Sequence, residues 1–415
     1  MDRPVFAVIG ASLAGARAAQ ALRAGGFDGR IALIGAEEHP PYERPPLSKA
    51  VLLTDRGAES VLLPVDWDDL GVELRLGDRA VGFDPSARTV ALASGGAVIA
   101  DKVLLATGGR CVRLEVPGAG LPGVFHLRDL DDAVALRSAL KTAGEVVVVG
   151  GGFIGLEVAA SAQALGCSVT VVEAASVPAS RSLGPTWGAF VAEQHLRRGV
   201  RIGIGVGVRA IRGGRGVTGV ELDDGTTLPA DVVVAGIGMA PRTELAADLG
   251  LHLAGSRHGV VVDRAARTSH PAVFAAGDVT VQPSWFGERL VRYESYQNAQ
   301  EQAAVAAAAM LGAPLPARDV PWFWSDQFDM NIQLAGELGA ADEVVLRGDR
   351  ESSSFAAFHL RAGTVAGVFA IGRGRDVRAA MKLIAGRVAV DADELGDESV
   401  DLRQLARRTP TPLFR

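Results

Sequence analysis

Hydrophobic and polar positions along this chain repeat one arrangement twice: a short apolar run, a glycine-rich turn, an alanine-rich stretch, a second apolar run and an acidic residue. In the first copy Phe6 to Ile9 is the apolar run and Gly10-Ala11-Ser12-Leu13-Ala14-Gly15 the turn. A helix is predicted over 16–24, a strand over 31–34, and Glu37 and Glu38 follow. In the second copy the strand covers 145–149, the turn is Gly150-Gly151-Gly152-Phe153-Ile154-Gly155, and a helix is predicted over 156–165. A strand over 168–172 and Glu173 close it. Apolar runs of four or five residues, bounded by glycine and followed by helical segments, suit parallel strands buried on both faces. The pattern predicts an α/β chain with two Rossmann-like units.

Shorter β-rich pieces, 72–76 and 89–92, lie between the copies, followed by Asp101 to Gly109, a buried strand that ends in the turn Ala106-Thr107-Gly108-Gly109. A matching strand and turn, Asp231 to Gly238, closes the second unit. The chain is therefore expected to leave its first domain near residue 109 and to return to it after 236. Residues 1–109 and 237–318 then make one discontinuous domain and 110–236 an inserted one. Beyond the prolines of 314–321 the residues turn aromatic and alternating, with Trp322, Phe323, Trp324 and Phe328, then strand-like 343–346 and 354–360. We expect 319–415 to be a C-terminal α+β domain with closing helices. A length of 415 residues agrees with two or three domains.

Composition narrows the function classes. Hydrophobic residues make up 48% and charged residues 22%, with 51 glycines, which fits a packed globular protein with many tight turns and argues against disorder. A net charge of −6 without a basic tract disfavours nucleic acid as a partner. Cys111 and Cys167 are the only cysteines, too few for a disulfide framework, a zinc site or a redox-active CxxxxC pair. His39, His126, His195, His252, His258, His270 and His359 are scattered, read as surface or structural residues, and suggest no metal site. No apolar run reaches the roughly 18 residues a membrane span needs, and Met1 leads into the first strand without a basic and then apolar leader. The expectation is a cytoplasmic protein with no membrane association, a monomer or weak homodimer.

Both turns carry dinucleotide chemistry. Their glycines permit a tight bend and close approach to a pyrophosphate, the helix N-terminus offers free N–H groups, and the acidic residue accepts from a ribose hydroxyl. Gly150, Gly152, Gly155 and Glu173 fit that fingerprint; the first copy has Gly10, Gly15 and Glu37 but Ser12 at the middle glycine, where a hydroxyl can donate to phosphate. A carboxylate at Glu173, with no arginine just after it, repels a 2′-phosphate and favours NADH over NADPH. Pro41-Tyr42-Glu43-Arg44-Pro45-Pro46-Leu47-Ser48-Lys49 is a proline-stiffened segment that ends on a lysine. Thr268 to Val279 sets Gly277 and Asp278 behind a buried strand, and a helix from about Ser295 to Leu311 follows.

These segments, with Ala106 to Gly109, Gly150 to Glu157, Tyr293 to Gln300 and Pro321-Trp322-Phe323-Trp324-Ser325-Asp326-Gln327, resemble the FAD-containing ferredoxin reductases of bacterial oxygenase systems, the putidaredoxin reductase and biphenyl dioxygenase reductase type. The resemblance covers essentially all 415 residues. It implies a glutathione-reductase-like fold: two Rossmann-like dinucleotide-binding domains, one for FAD and one for NAD, and a C-terminal α+β domain. It also implies transfer of hydride from NADH to FAD and then of single electrons to a [2Fe–2S] ferredoxin serving a cytochrome P450 or a ring-hydroxylating oxygenase.

By the same resemblance Lys49 sits at the flavin and pairs with Glu157, which helps to place the nicotinamide. Gly10, Ser12, Leu13, Ala14, Gly15, Glu37, Arg44, Pro46, Val81, Ala106, Thr107, Gly108, Arg128, Gly277, Asp278, Glu294, Ser295 and Tyr296 are implied on the FAD side. Gly150, Gly152, Phe153, Ile154, Gly155, Glu173 and Gly238 are implied on the NAD side. Tyr296 stands where relatives often carry tryptophan, and Trp324 where the family has a tryptophan at the flavin edge facing the ferredoxin. Arg373, Arg375, Arg378, Lys382 and Arg387 offer a positive face to an acidic carrier, or else simply a solvated helix surface. The scaffold also serves rubredoxin reductases, monodehydroascorbate reductases, NADH oxidases and NADH-sensing proteins like apoptosis-inducing factor.

Overall fold

The computed structural model describes residues 3–54, 58–255, 259–339 and 341–408, so that His258 lies outside the described residues. The chain divides into two compact units. One comprises Met1–Pro45, Gly57–Arg110 and Met239–Arg318, the other Pro46–Arg56, Cys111–Gly238 and Asp319–Arg415.

In the first unit five parallel strands lie in the order Val273–Ala275, Lys102–Leu105, Val5–Ile9, Arg30–Ile34 and Val72–Arg75. The apolar runs of the inner strands are buried on both faces, as a sheet covered by helices requires, and the edge strand Val72–Arg75 carries the half-buried Glu73 and Arg75. The helix Leu13–Ala24 starts three residues before the expected position, because Leu13, Ala14 and Gly15 already form its first turn. Gly15 is the reason it can start there. A Cβ on Gly15 would lie 1.9 Å from the Gly10 carbonyl oxygen, so only glycine lets the helix rise directly off the turn. Tyr296–Leu311 packs on Leu13–Ala24, and the small residues Ala14, Ala18, Ala299, Ala303 and Ala306 let the two helix backbones approach closely.

The second unit repeats the plan. Parallel strands run in the order Arg201–Ile204, Ser168–Glu173, Glu145–Val149, Val232–Ala235 and Val124–Phe125. The helix Phe153–Ala164 again begins three residues ahead of its expected start. A longer helical stretch, Ser180–Arg197, is broken at Gly184 (φ +70°) just before Pro185, which starts the second piece. The C-terminal residues form an antiparallel sheet ordered Trp322–Gln327, Met330–Gly336, Thr364–Ile371, Ser354–Arg361 and Glu343–Asp349, with the helix Gly374–Gly386 behind it.

One face of that sheet buries Phe358, Leu360 and Val368, as the helix behind it buries Val377, Leu383 and Ile384; the other face shares a core with the parallel sheet. Ile332, Phe355, Phe369 and Ile371 are buried together with Val146, Val148, Leu156, Val158 and Val171, and the Trp187 ring stacks on Phe369 at 4.7 Å. Leu52, from the short helix Ala50–Leu53, enters the same core, which ties Pro46–Arg56 to this unit. Side chains alternate along Trp322–Gln327 with the strand period of two. Trp322 and Trp324 stack on each other with ring centroids 5.0 Å apart, whereas Ser325 and Gln327 are fully buried.

Among the described residues no helix is long and apolar enough to cross a membrane.

Alanine ordinarily stabilises a helix over glycine by about 1 kcal/mol. At Gly155 the sign should reverse, since a Cβ there would lie 2.1 Å from the Gly150 carbonyl oxygen. Gly155→Ala is therefore expected to lower the thermal unfolding midpoint; an unchanged or raised midpoint would show that the turn can open without cost.

Candidate functional site

Each unit holds one glycine turn at the carboxyl ends of its parallel strands, where such sheets leave a crevice. In the first unit Gly10 adopts φ +120°, and a Cβ there would lie 2.1 Å from the Ala106 carbonyl oxygen, so the two backbone segments touch. Gly277 (φ +82°) lies against Ala14. The turn 10–15, Ala106-Thr107-Gly108 and Gly277-Asp278 therefore converge at one edge of the sheet, and the Thr107 hydroxyl donates to the Arg242 carbonyl at 2.8 Å. Ser12 is the N-cap of Leu13–Ala24, but its side chain caps none of the first-turn N–H groups.

The Ser12 hydroxyl accepts from Arg44 Nε at 3.2 Å, an interaction not read from the sequence. Arg44 Nη2 also reaches Glu37 Oε1 at 2.5 Å, and the Tyr42 hydroxyl donates to Glu37 Oε2 at 2.5 Å. The acidic residue after the second strand is thus held beside the turn by a guanidinium and a phenol. Tyr296 donates to Glu43 Oε1 at 2.6 Å, and with burial this carboxylate pushes the phenol above its ordinary pKa. Ser295 caps the Tyr296–Leu311 helix by accepting from Asn298 N, and Glu294 pairs with Arg292 at 2.5 Å. Val81 lies 45% exposed on the strand Ala80–Asp84.

In the second unit Gly150 (φ +102°) abuts the Gly236 carbonyl, and Gly152 is the N-cap of Phe153–Ala164. A Cβ on Gly152 would meet nothing within 4 Å, and the same holds for Gly238. Both helix starts thus present first-turn N–H groups that no side chain caps, together with a dipole end of roughly +0.5 charge, and the second lies next to open space. Glu173 Oε2 accepts from Gly151 N and Oε1 from Ala175 N, each at 2.7 Å, so its carboxylate is folded back onto the turn. Ile154 is 49% exposed at the helix start. Two uncapped turns of this shape, each with a carboxylate beside it, fit two dinucleotides.

Glu157, one turn into the same helix, is 3% exposed. Lys49 Nζ lies 2.8 Å from its Oε2, the Ser48 hydroxyl donates to Oε2 at 2.5 Å, and the Ser325 hydroxyl donates to Oε1 at 2.5 Å. Ser161 then donates to the Ser48 carbonyl at 2.7 Å, and the Pro46 carbonyl accepts from Lys49 N at 3.1 Å, which fixes the lysine-bearing loop. Sequence reasoning paired Lys49 with Glu157 through the resemblance, but it missed Ser48, Ser325, Gln327 and His195. Of the two readings the sequence left for its histidines, surface or structural, His195 takes the second, fully buried. Arg128 donates through its backbone to Asp132 at 2.9 Å, at the start of the helix Leu130–Leu140. Arg373 is held by Asp376 and Glu398, so its charge is answered internally, while Arg375, Arg378 and Lys382 share one exposed helix face.

Burial raises the thiol pKa of both Cys111 and Cys167 above the ordinary value, which leaves little thiolate for redox chemistry.

Residues 5–303 match the family model described as pyridine nucleotide-disulphide oxidoreductase, and residues 322–406 the one described as reductase C-terminal. The chain is 40% identical over 408 residues to rhodocoxin reductase of Rhodococcus erythropolis, covering 97% of this chain and 95% of that one. It is 40% identical over 408 residues to the biphenyl dioxygenase system ferredoxin–NAD(+) reductase component of Paraburkholderia xenovorans, covering 98% and 99%. A solved chain of the covalent putidaredoxin reductase–putidaredoxin complex matches it with TM-score 0.92 at 35% identity, over 98% of each chain.

His195 makes a testable acid limb. Burial pushes its pKa down to about 4, and its Nδ1 finds no partner among the described residues. Between pH 6.5 and 4 the unfolded chain takes up a proton that the folded one refuses, so stability is full above 6.5 and falls as the pH drops, by up to about 3 kcal/mol. Burial lowers His359 and His126 in the same direction. His195→Gln should therefore flatten part of the fall in unfolding midpoint between pH 7 and 4; an identical slope would mean that His195 titrates normally.

Proposed function

The chain belongs to the ferredoxin reductases of bacterial oxygenase systems, within the pyridine nucleotide-disulphide oxidoreductases, and from that premise we propose that it passes electrons from NADH to a small [2Fe–2S] ferredoxin that serves a cytochrome P450 or a ring-hydroxylating oxygenase. FAD, when bound, takes two electrons together and releases them singly, which is what joins a nicotinamide donor to a one-electron acceptor. The observation that carries this reading is the Glu157 carboxylate, buried beside the second turn and paired with Lys49, in a chain whose two thiols are both poor nucleophiles.

The first unit is the FAD side. Gly10 to Gly15 and the uncapped start of Leu13–Ala24 receive the pyrophosphate, with Arg44 adding positive charge at the turn. Glu37, held by Arg44 and Tyr42, accepts from the adenosine ribose. Asp278 accepts from the ribityl chain, and Ala106, Thr107, Gly108, Val81, Gly277, Glu294, Ser295 and Tyr296 complete the site; Pro46 and Arg128, in the second unit, stand at positions that resemble flavin contacts of the family. Lys49, in the second unit, matches the lysine that the resemblance implies for the flavin, a cation suited to the negative charge that collects on reduction.

The second unit binds NADH. Gly150, Gly152 and Gly155 admit its pyrophosphate and Glu173 accepts from the ribose that a 2′-phosphate would crowd, while Phe153, Ile154, Glu157 and Gly238 line the nicotinamide end. We assign 1–109 and 237–318 to the FAD domain, 110–236 to the NAD domain and 319–415 to the C-terminal domain. Trp324 faces the ferredoxin, and the exposed face Arg375, Arg378 and Lys382 draws an acidic carrier. The protein works in the cytoplasm, as a monomer or weak homodimer, without nucleic acid or membrane.

Stopped-flow reduction by NADH and NADPH, followed by reoxidation with [2Fe–2S] ferredoxins and with oxygen, tests the whole reading. Fast reduction by NADH and reoxidation much faster by a ferredoxin than by oxygen is expected; a protein that binds no flavin, or prefers oxygen, refutes it. Glu173→Arg should lower kcat/KM for NADH about tenfold or more while raising that for NADPH. Lys49→Ala should slow reduction and also lower stability, because it strips a buried carboxylate of its cation; unchanged rates would remove Lys49 from the mechanism.

A further inference from the structure

The hydrogen bonds around Glu157 continue away from Lys49 into the C-terminal sheet. Ser325 Oγ donates to Glu157 Oε1 at 2.5 Å and accepts from Gln327 Nε2 at 3.0 Å. Gln327 Oε1 lies 2.8 Å from His195 Nε2. A carbonyl oxygen only accepts, so His195 must carry its proton on Nε2, which leaves Nδ1 bare. That is the neutral imidazole that burial enforces.

The chain therefore has a direction: every donor points toward the carboxylate. Were the Gln327 amide reversed, its oxygen would face the Ser325 hydroxyl and draw that proton away from Glu157, leaving a carboxylate oxygen unanswered. His195 opposes the reversal, because a reversed amide would need the imidazole proton on Nδ1, where it would be a buried donor with no acceptor among the described residues. One ring nitrogen thus fixes one amide, which fixes one hydroxyl, which fixes one carboxylate edge.

Folding alone does not call for this arrangement. Ser325, Gln327 and His195 are fully buried, and each buried polar group costs about 1–3 kcal/mol when its partner is lost, whereas apolar side chains would fill the same space without that risk. The strand is also set to reach Glu157. Phe153 and Glu157 stand one helical turn apart, about 6 Å, and Phe323 and Ser325 two strand residues apart, about 6.7 Å. The two spacings match, so the Phe153 and Phe323 rings meet at 4.6 Å while Ser325 meets Glu157.

We propose that Ser325, Gln327 and His195 are positioning residues that hold the Glu157 carboxylate in the orientation in which it places the nicotinamide, so that the C-terminal domain completes the NADH site. This rests on the reading of Glu157 given above. The test uses the holoenzyme and a cycle of Ser325→Ala, Glu157→Gln and the double variant, with Ser325→Thr and Gln327→Met beside them. Two quantities are read: the limiting rate of flavin reduction by NADH, and the dissociation constant of the nonreducing analogue 1,4,5,6-tetrahydro-NAD from the flavin absorbance change.

Ser325→Ala and Gln327→Met are each expected to slow reduction about tenfold and to weaken the analogue about threefold or more. Ser325→Thr, which keeps the hydroxyl, should restore both quantities. Glu157→Gln should be slow, and adding Ser325→Ala to it should change nothing further. If Ser325→Ala slows the Glu157→Gln enzyme by the same factor as the unsubstituted one, Ser325 acts elsewhere and the proposal fails. Should Ser325→Ala match the unsubstituted enzyme while Glu157→Gln is slow, the proposal fails and the role of Glu157 stands. If Glu157→Gln is itself fast, the role of Glu157 falls and the proposal with it. A Ser325→Ala protein that does not fold leaves Gln327→Met and Ser325→Thr to decide in the same way.

Discussion

A carboxylate taken out of water costs several kcal/mol unless donors answer it, and in the second unit Glu157 is such a carboxylate. Its donors come from segments far apart in the chain. Ser48 and Lys49 lie 109 and 108 residues before it, and Ser325 lies 168 residues after it. The fold has to bring both segments to one helix, and it does so with apolar side chains next to the polar ones. Leu52 enters the core three residues after Lys49, and Phe323 meets Phe153 two residues before Ser325. The membership of Pro46–Arg56 and of the C-terminal sheet in this unit follows from the same requirement.

The two nucleotide turns share a backbone and differ in how each holds its acidic residue. In the first, the Arg44 guanidinium and the Tyr42 hydroxyl fasten Glu37, and Arg44 also takes up the Ser12 hydroxyl. In the second, there is no side chain at Gly152, and Glu173 is held by the backbone N–H groups of Gly151 and Ala175. The first site carries its own cation at the turn, which suits a dinucleotide that stays bound. At the second the acidic residue is held by backbone N–H groups, which in the proposed function suits a dinucleotide that exchanges at every turnover.

The strand Trp322–Gln327 works on both faces. Period-two alternation puts Trp322 and Trp324 on one side, where they stack on each other, and Phe323, Ser325 and Gln327 on the other, against the helix that bears Glu157. In the proposed function the residue that meets the electron acceptor and the residue that steadies the donor site are neighbours in one rigid strand.

What the sequence determined by itself is whatever depends on near neighbours along the chain. The apolar runs, the glycines with positive φ and the acidic residues at strand ends reveal both Rossmann-like units, since a turn and the helix it starts are made of consecutive residues. The resemblance added the pairing of Lys49 with Glu157. Even locally there was a limit: both helices begin three residues early, because the same glycines serve turn and first helical turn, and periodicity cannot divide them. Only the tertiary structure decided that Arg44 engages Ser12, that Arg373 is paired internally, and that His195 is a buried neutral ring leading through Gln327 and Ser325 to Glu157. Those bonds join residues that no spacing relates, and a hydrogen bond exists only where folding has brought its donor and acceptor within about 3 Å.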